Sequence, residues 1–173
     1  MDTFRQYSTE RKIITVSGIL GILLCCLFAT QCNSLSPQTI ADAKVQTRSL
    51  ILAYAHGMAK KDYDTVYALF SKRVHRQMSI EEIEEFGDVE ANFAIVDGIQ
   101  SVEINSLKLL KQANTNPNMP QGSVATVIGI ANFDDGFTGR VDAVFELESE
   151  TWRIHHINIS ISPERLQNYL ENR

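Results

Sequence analysis

Three tyrosines, Tyr54, Tyr63 and Tyr67, are the side chains whose type and spacing best suit ligand binding. A phenol joins an apolar ring to one hydroxyl, so it suits the rim of a semi-polar pocket for a small apolar ligand. All three fall on the apolar stripes of two predicted helices, which we expect to meet. Together with Trp152 and His156 they form the candidate ligand-binding set. The alternative is plain packing, in which the phenols bond to the main chain or to His156.

The histidines do not predict a metal site. His155 and His156 are adjacent on a predicted strand, so their side chains point to opposite faces unless a bulge redirects one of them. His75 lies in the basic run Lys72–Arg76, which we interpret as a solvated helix end, and His56 is expected at the surface. A metal ion needs several converging ligands. We therefore predict no metal and no cofactor.

No residue pattern predicts catalysis. The sequence has no nucleophile elbow, no phosphate-binding glycine loop and no paired Cys and His. Asp142 and Glu146 share one face of a predicted strand, and Phe145 lies on the other. Because the side with Phe145 suits packing under helices, we expect both acids to be solvated. We assign no catalytic residue.

Charge and cysteine content exclude further classes of function. After Leu35 the chain has 13 Lys and Arg against 19 Asp and Glu, a balance that repels phosphate backbones and makes nucleic acid an improbable partner. The cysteines are Cys25, Cys26 and Cys32, so the residues after position 32 can form no disulfide and no Cys-ligated metal site.

An apolar segment precedes the folded part. Eighteen residues from Ile13 to Thr30 carry no charge, and as a helix they would span roughly 27 Å, about the hydrocarbon thickness of a bilayer. Basic residues precede this segment, and none follows until Lys44. By the positive-inside rule, residues 1–12 are cytoplasmic, 13–30 cross the membrane once, 31–37 form a linker and 38–173 form an extracytoplasmic domain.

Two alternatives to an uncleaved anchor stay open. A signal peptide would be cut after Ala29 or Ser34, giving a secreted protein, although the apolar run is long for that class. A lipoprotein would be lipidated at Cys32, although Gln31 stands where that motif has a small residue. If the anchor is kept, Gly18 and Gly21 would permit close approach of another membrane helix.

The elements that position the candidate residues are helices followed by strands. Ser36 and Pro37 open a helix whose stripe runs from Ile40 to Met58, and Asp62 or Asp64 caps a second helix. Ser79 and Glu82 form a capping box for a third helix, with Ile80, Ile83 and Phe86 inward.

Strands follow from Gly98 onward. Residues 100–111, 123–133, 137–147 and 152–161 have strand patterns, with a hairpin turn at Asp134–Gly136. The apolar phase changes near His155, which predicts a β-bulge. Ser162 and Pro163 open a last helix. Helices before antiparallel strands predict an α+β fold with about three helices on one face of a curved sheet.

Several of these segments resemble the nuclear transport factor 2-like superfamily, which has the cystatin-like cone fold. The resemblance spans roughly residues 38–161 and rests on LAYAHGMAKKDYDTVYALFS, on DDGFTGRVDAVFEL and on TWRIHHI. In the ketosteroid isomerases of this superfamily, a tyrosine eight residues before the second-helix Asp stabilises an oxyanion, and Tyr54 matches it. The position of their general base is Met78 here, and a thioether cannot accept a proton.

The resemblance therefore favours binding over catalysis. We expect a membrane-tethered binding or protein-interaction module without enzymatic activity. An isomerase or dehydratase that uses the tyrosine-lined pocket, and an accessory subunit of a membrane complex, are the alternatives. Dimerisation through the sheet is common among similar cones, so we predict a homodimer or a protein partner on the outer face, with Ala125, Val127, Ala131 and Val144 exposed there.

Overall fold

A computed structural model describes residues 37–92 and 94–172, apart from the side chains of residues 37, 38 and 90–92. Its helices are α1 Pro37–Ala59, α2 Tyr63–Leu69, α3 Lys72–His75, α4 Ile80–Asn92 and α5 Pro163–Glu171. Its strands are β1 Ile99–Gln112, β2 Gly122–Phe133, β3 Thr138–Glu148 and β4 Thr151–Ile161. They form one antiparallel sheet in the order β1-β2-β3-β4, so the predicted α+β class is confirmed.

Local sequence sets the beginnings of the helices. The Asp62 side chain caps α2 by accepting a hydrogen bond from Thr65 N at 3.3 Å, and Ser162 caps α5. The predicted capping box opens α4, where Ser79 N donates to Glu82 Oε2 at 2.7 Å and Glu82 N donates to Ser79 Oγ at 3.3 Å.

The apolar stripe of α1 packs on one face of the sheet. Ala43, Ile51, Tyr54, Ala55 and Met58 are all at most 2% exposed. The buried Thr47 hydroxyl is satisfied inside the helix, because it donates to Ala43 O at 2.7 Å. Ile40, at the start of the predicted stripe, is instead exposed.

The two sheet faces differ from the prediction in one respect. Ala125, Val127 and Ala131 are fully buried in the same core as Tyr54, so their predicted place on the outer face was wrong. Side chains alternate along a strand, so the outer sheet face carries Thr126, Ile128 and Ile130 from β2, Val144 from β3 and Leu110 from β1. The inner and outer faces of β2 could not be told apart because the residues that point to each face are mostly apolar.

The predicted bulge in β4 is confirmed. Val144 pairs with His156 and the next residue, Phe145, pairs with Ile154, so His155 is the extra residue. Because one residue is inserted, His155 and His156 both lie on the outer side of the strand, between the inward-facing Ile154 and Ile157.

The turn between β3 and β4 stores backbone strain that a substitution can remove. Ser149 and Glu150 both have positive φ, 47° and 69°, which is the conformation of a two-residue hairpin turn that favours glycine. We expect Glu150→Gly to raise the free energy of unfolding by about 1 kcal/mol. Glu150→Ala is the control, because it removes the same charge but keeps Cβ. A denaturant titration in which both variants gain equally would contradict this explanation.

The predicted inward side chains of α4 are confirmed only in part. Phe86 on α4 is 53% exposed, so its predicted inward position was wrong, whereas Ile83 is buried as expected.

Among residues 37–92 and 94–172, no helix is long and apolar enough to cross a membrane. The predicted span, Ile13–Thr30, and the linker after it lie outside these described residues except for Pro37.

Candidate functional site

A largely buried ion pair between Arg73 and Glu146 joins α3 to the sheet. Glu146 is 4% exposed, so its predicted solvated position was wrong. Arg73 Nε donates to both carboxylate oxygens of Glu146 at 3.3 Å, and Nη2 donates to Oε1 at 3.1 Å. Such a fork binds a carboxylate more strongly and with more defined geometry than a single hydrogen bond does.

Main-chain contacts hold α3 in place over this carboxylate. Phe70 forms a parallel bridge with Ile154 of β4, and Ser71 N donates to Ile154 O at 2.8 Å. The buried Ser71 side chain then caps α3 by accepting a hydrogen bond from Val74 N. Arg73, in the single turn of this helix, is thereby directed at Glu146.

The loop between β1 and β2 closes the same site. Gln121 N donates to Glu146 Oε1 at 3.1 Å, and Arg73 Nη1 donates to Pro117 O. Gln77 Nε2 donates to Asn118 O at 3.4 Å. One buried ion pair therefore connects three separate segments of the chain.

His155 is the titratable group beside this pair. Its Nδ1 lies 3.9 Å from Glu146 Oε2 and is buried without a hydrogen-bond partner among the residues that the structure describes. Burial lowers the pKa of His155, the carboxylate of Glu146 opposes this by raising it, and Arg73 and His156 lower it further. The imidazole is therefore held neutral over a wider pH range than an exposed histidine.

This arrangement makes stability depend on pH. The unfolded state takes up a proton near pH 6.5, above the lowered pKa of His155 in the folded state. The contribution of His155 is thus fully present above that pH and is lost as the pH falls towards the folded-state pKa. We expect the unfolding midpoint of the detergent-solubilised full chain to fall from pH 7.5 to 5.5 less steeply in His155→Gln than in the wild type. His56→Gln, at an exposed position, is the control, and parallel profiles for wild type and His155→Gln would contradict the assignment.

The structure gives each predicted tyrosine a different set of neighbours. Tyr54 is 2% exposed and meets the ring of Phe70 edge-on, with centroids 6.1 Å apart and an angle of 87° between the rings. Met78, at the position of the isomerases' general base, is 38% exposed, and its carbonyl accepts a hydrogen bond from Tyr67 Oη at 3.3 Å.

The half-buried Tyr63 packs against the core around Tyr54, and its hydroxyl belongs to a cluster of surface charges. Its hydroxyl donates to Asp88 Oδ1 at 3.2 Å, and the same oxygen accepts from Lys61 Nζ at 2.8 Å. Burial raises the pKa of Tyr63, and the hydrogen bond to Asp88 raises it further. Gly87 lets α4 approach closely, because a Cβ there would collide with the Tyr63 ring.

Tyr67 is paired with His75, which is half-buried rather than solvated as predicted. The two rings stack with centroids 4.2 Å apart and 23° between their planes. His75 Nε2 lies 2.8 Å from Tyr67 O. A carbonyl oxygen only accepts, so His75 carries a proton on Nε2 and donates it there.

The other two predicted residues lie on opposite faces of the sheet. Trp152 is 7% exposed and belongs to the core with Tyr54, whereas His156 is exposed on the outer side. The structure therefore does not bring all five candidates to one pocket. Binding of a small ligand by a subset of them stays a prediction.

The sequence did not indicate the roles of two arginines, the partly buried Arg73 and the buried Arg165. Arg73 was interpreted as part of a solvated basic run, and Arg165 of α5 is 5% exposed. Arg165 donates to Asp135 Oδ2 at 2.8 Å and to the main-chain oxygens of Ala94 and Asp97. Their partners are distant in sequence, so no local pattern signals them. Near Glu146, the sequence feature that could be interpreted was the switch in apolar alternation along β4, which predicted the bulge at His155.

Comparison with known proteins gives similarity only among solved structures. A scan of family models and a search of curated proteins find no match. Aln2 from a Streptomyces species is 16% identical with a TM-score of 0.40, over 80% of this chain and 98% of Aln2. A candidate dehydratase of the NTF2-like family from Streptomyces avermitilis is 13% identical with a TM-score of 0.42, over 74% and 99% of the two chains.

A domain with a cystatin-like fold from Nostoc punctiforme gives a similar result. It is 12% identical with a TM-score of 0.42, over 79% of this chain and 86% of that domain. At such TM-scores the similarity carries no information on activity, and membership of the superfamily stays a proposal.

Proposed function

We propose that this chain is a membrane-tethered, extracytoplasmic member of the nuclear transport factor 2-like superfamily that binds a partner without catalysis. The observation that carries the binding role is the apolar character of the outer sheet face. On it Ile128 is 39% exposed with Ile130 and Val144 half-buried beside it, and Leu110, opposite Val124, is 47% exposed. Exposed apolar side chains that adjoin on one face favour association with another protein surface.

The shape and charge of this face support a second copy of the chain as the partner. A depression of about 450 Å³ is lined by Ile128, Ile130, Arg140 and Ile161 among others. Arg140 and Asp142 form an exposed pair there, with Nε 2.6 Å from Oδ2. A two-fold axis would place each charge of this pair against its opposite on the other copy.

The buried polar groups support a role without catalysis. Among the described residues, Glu146 is the buried carboxylate, and its oxygens are bound by Arg73 and by Gln121 N. It lies on the other side of β3 from Phe145, which packs in the core with Tyr54. A general base has to reach the proton that it removes, and Glu146 is separated from Tyr54 by the sheet.

The tether is tested by fractionation of cells that express the full chain. We expect the wild type to stay in membranes after alkaline extraction and its domain to be accessible to an external protease. Leu20→Arg with Leu23→Arg should release it, since each charge at a span centre costs about 3 kcal/mol. Ile40→Arg, at an exposed position on α1, is the control. The mass of the membrane-bound species separates a kept anchor from a chain lipidated at Cys32, and a soluble wild type would overturn the tether.

The association surface is tested separately in detergent. We expect sedimentation of the full chain to depend on concentration, and Ile128→Lys to abolish that dependence. Val45→Lys is the matched control, because Val45 is 62% exposed on α1. If the wild type is monomeric at high micromolar concentration, self-association is excluded and the partner is a different protein. Equal behaviour of the two variants would exclude the outer sheet face.

A further inference from the structure

A cleft of about 360 Å³ lies beside the β3–β4 turn and the α2–α3 connection. Its lining includes two cationic side chains, one carboxylate, two hydroxyls, one imidazole and one phenyl ring: Lys72, Arg153, Glu148, Ser149, Thr151, His75 and Phe70. The residues come from two segments of the chain, 68–75 and 148–153, and the fold brings them together through the bridge between Phe70 and Ile154.

The cations of this cleft are available for a ligand. Within the described part of the chain, the Lys72 ammonium has no hydrogen-bond or ion-pair partner, and its side chain is exposed. Arg153 Nη1 donates to Ala68 O at 3.0 Å, which orients the guanidinium and leaves its other N–H groups free to donate. One cation is therefore unpaired within the described residues, and the other is oriented by a hydrogen bond.

The balance of charge selects the kind of anion. Lys72 and Arg153 contribute two positive charges, and Glu148 contributes one negative charge while its Oε1 accepts from Lys72 N at 3.0 Å. The cleft has an excess of one positive charge in a chain of formal net charge −5. A cleft with an excess of one positive charge suits a ligand with one negative charge, because that ligand leaves the site neutral. Phe70 adds an apolar wall next to the charged groups.

We propose that this cleft binds the carboxylate group of a singly charged ligand, with Lys72 and Arg153 as its cationic partners and the Ser149 and Thr151 hydroxyls as further donors. The carboxylate belongs either to a free small acid or to an acidic side chain of a bound protein segment. The cleft shares no lining residue with the depression on the outer sheet face. It adds a chemical class of ligand to the binding role proposed above, on which it rests, and is independent of the tether and of self-association.

The test is a titration of the isotope-labelled full chain in detergent, followed by NMR at the Arg153 side chain and at the amides of Ser149 and Thr151. The probes are acetate, a capped alanine pentapeptide with one central glutamate, its glutamine counterpart, and inorganic phosphate at pH 8. We expect saturable shifts with acetate and with the glutamate peptide, and none with the glutamine peptide. Peptide binding tenfold tighter than acetate would assign the site to a protein segment, and equal affinity would assign it to a free acid.

Two variants separate the cleft from a general charge effect. Lys72→Met, at a side chain without partners in the described structure, should weaken binding roughly tenfold, the loss of one charge-assisted contact. Arg140→Met removes the same charge outside the cleft and should bind like the wild type. Absence of saturable shifts, tighter binding of phosphate than of acetate, or equal weakening in both variants would overturn the proposal. A chain found free of the membrane would leave these results unaffected.

Discussion

Arg73→Met should lower the free energy of unfolding by about 3–5 kcal/mol, the cost of leaving one partner of a buried ion pair unpaired. The Glu146 side chain is 5% exposed, and without Arg73 it keeps the single hydrogen bond from Gln121 N and the distant His155. Pro117 O loses its donor as well. Urea unfolding of the detergent-solubilised full chain measures the difference.

The double variant is the decisive control for this prediction. Arg73→Met with Glu146→Leu removes both charges, so no buried charge is left without a partner, and we expect most of the lost stability to return. If the double variant is as unstable as the sum of the two single ones, the arginine acts through packing of its stem instead. A loss below about 1 kcal/mol in Arg73→Met would show that water reaches Glu146.

Arg165→Met should cost about 2–4 kcal/mol, because three acceptors lose a charged donor. Its side chain is 6% exposed, Nη2 donates to Asp97 O at 2.9 Å, and the guanidinium carbon lies 3.7 Å from the centre of the Phe133 ring. The contact with the ring adds a cation–π interaction. This one side chain fastens α5 to the β2–β3 hairpin and to the segment before β1.

Arg165→Lys and Arg140→Met define what the arginine contributes. A lysine keeps the charge but cannot reach three acceptors with a planar fork, so we expect it to recover less than half of the loss. Arg140 is in an exposed pair with Asp142, so Arg140→Met should change stability by less than about 0.5 kcal/mol. Full recovery by lysine would mean that charge alone matters at this position.

The elements could be predicted because their signals are local. Asp62, Ser79 with Glu82, and Ser162 each bond to a main-chain group within three residues, and the structure shows all of these caps. The turn at Asp134–Gly136 is equally local, since Asp135 Oδ1 accepts from Phe137 N.

The candidate site could not be predicted in the same way. Arg73 and Glu146 are separated by 73 residues in sequence, and Arg165 and Asp135 by 30. Neither separation matches a helix or strand period, so both partners resemble ordinary surface charges. The tyrosines were predicted to lie on apolar helix stripes, and they do. An apolar stripe does not determine whether a ring forms the wall of an open pocket or packs in a filled core. The Tyr54 ring packs in a filled core, among residues that are almost fully buried.

The order of elements along the chain determines when the domain can fold during synthesis. Each strand pairs with the next one, and the β3–β4 turn has two residues, so hairpins form with little loop-closure cost once they are made. The helix α1 precedes every strand, and its buried face, which includes Ile51 and Met58, is covered by strands from β1 to β4. Part of this apolar face therefore stays uncovered on a growing chain until about residue 161 has been synthesised, and during that time it can associate with other apolar surfaces.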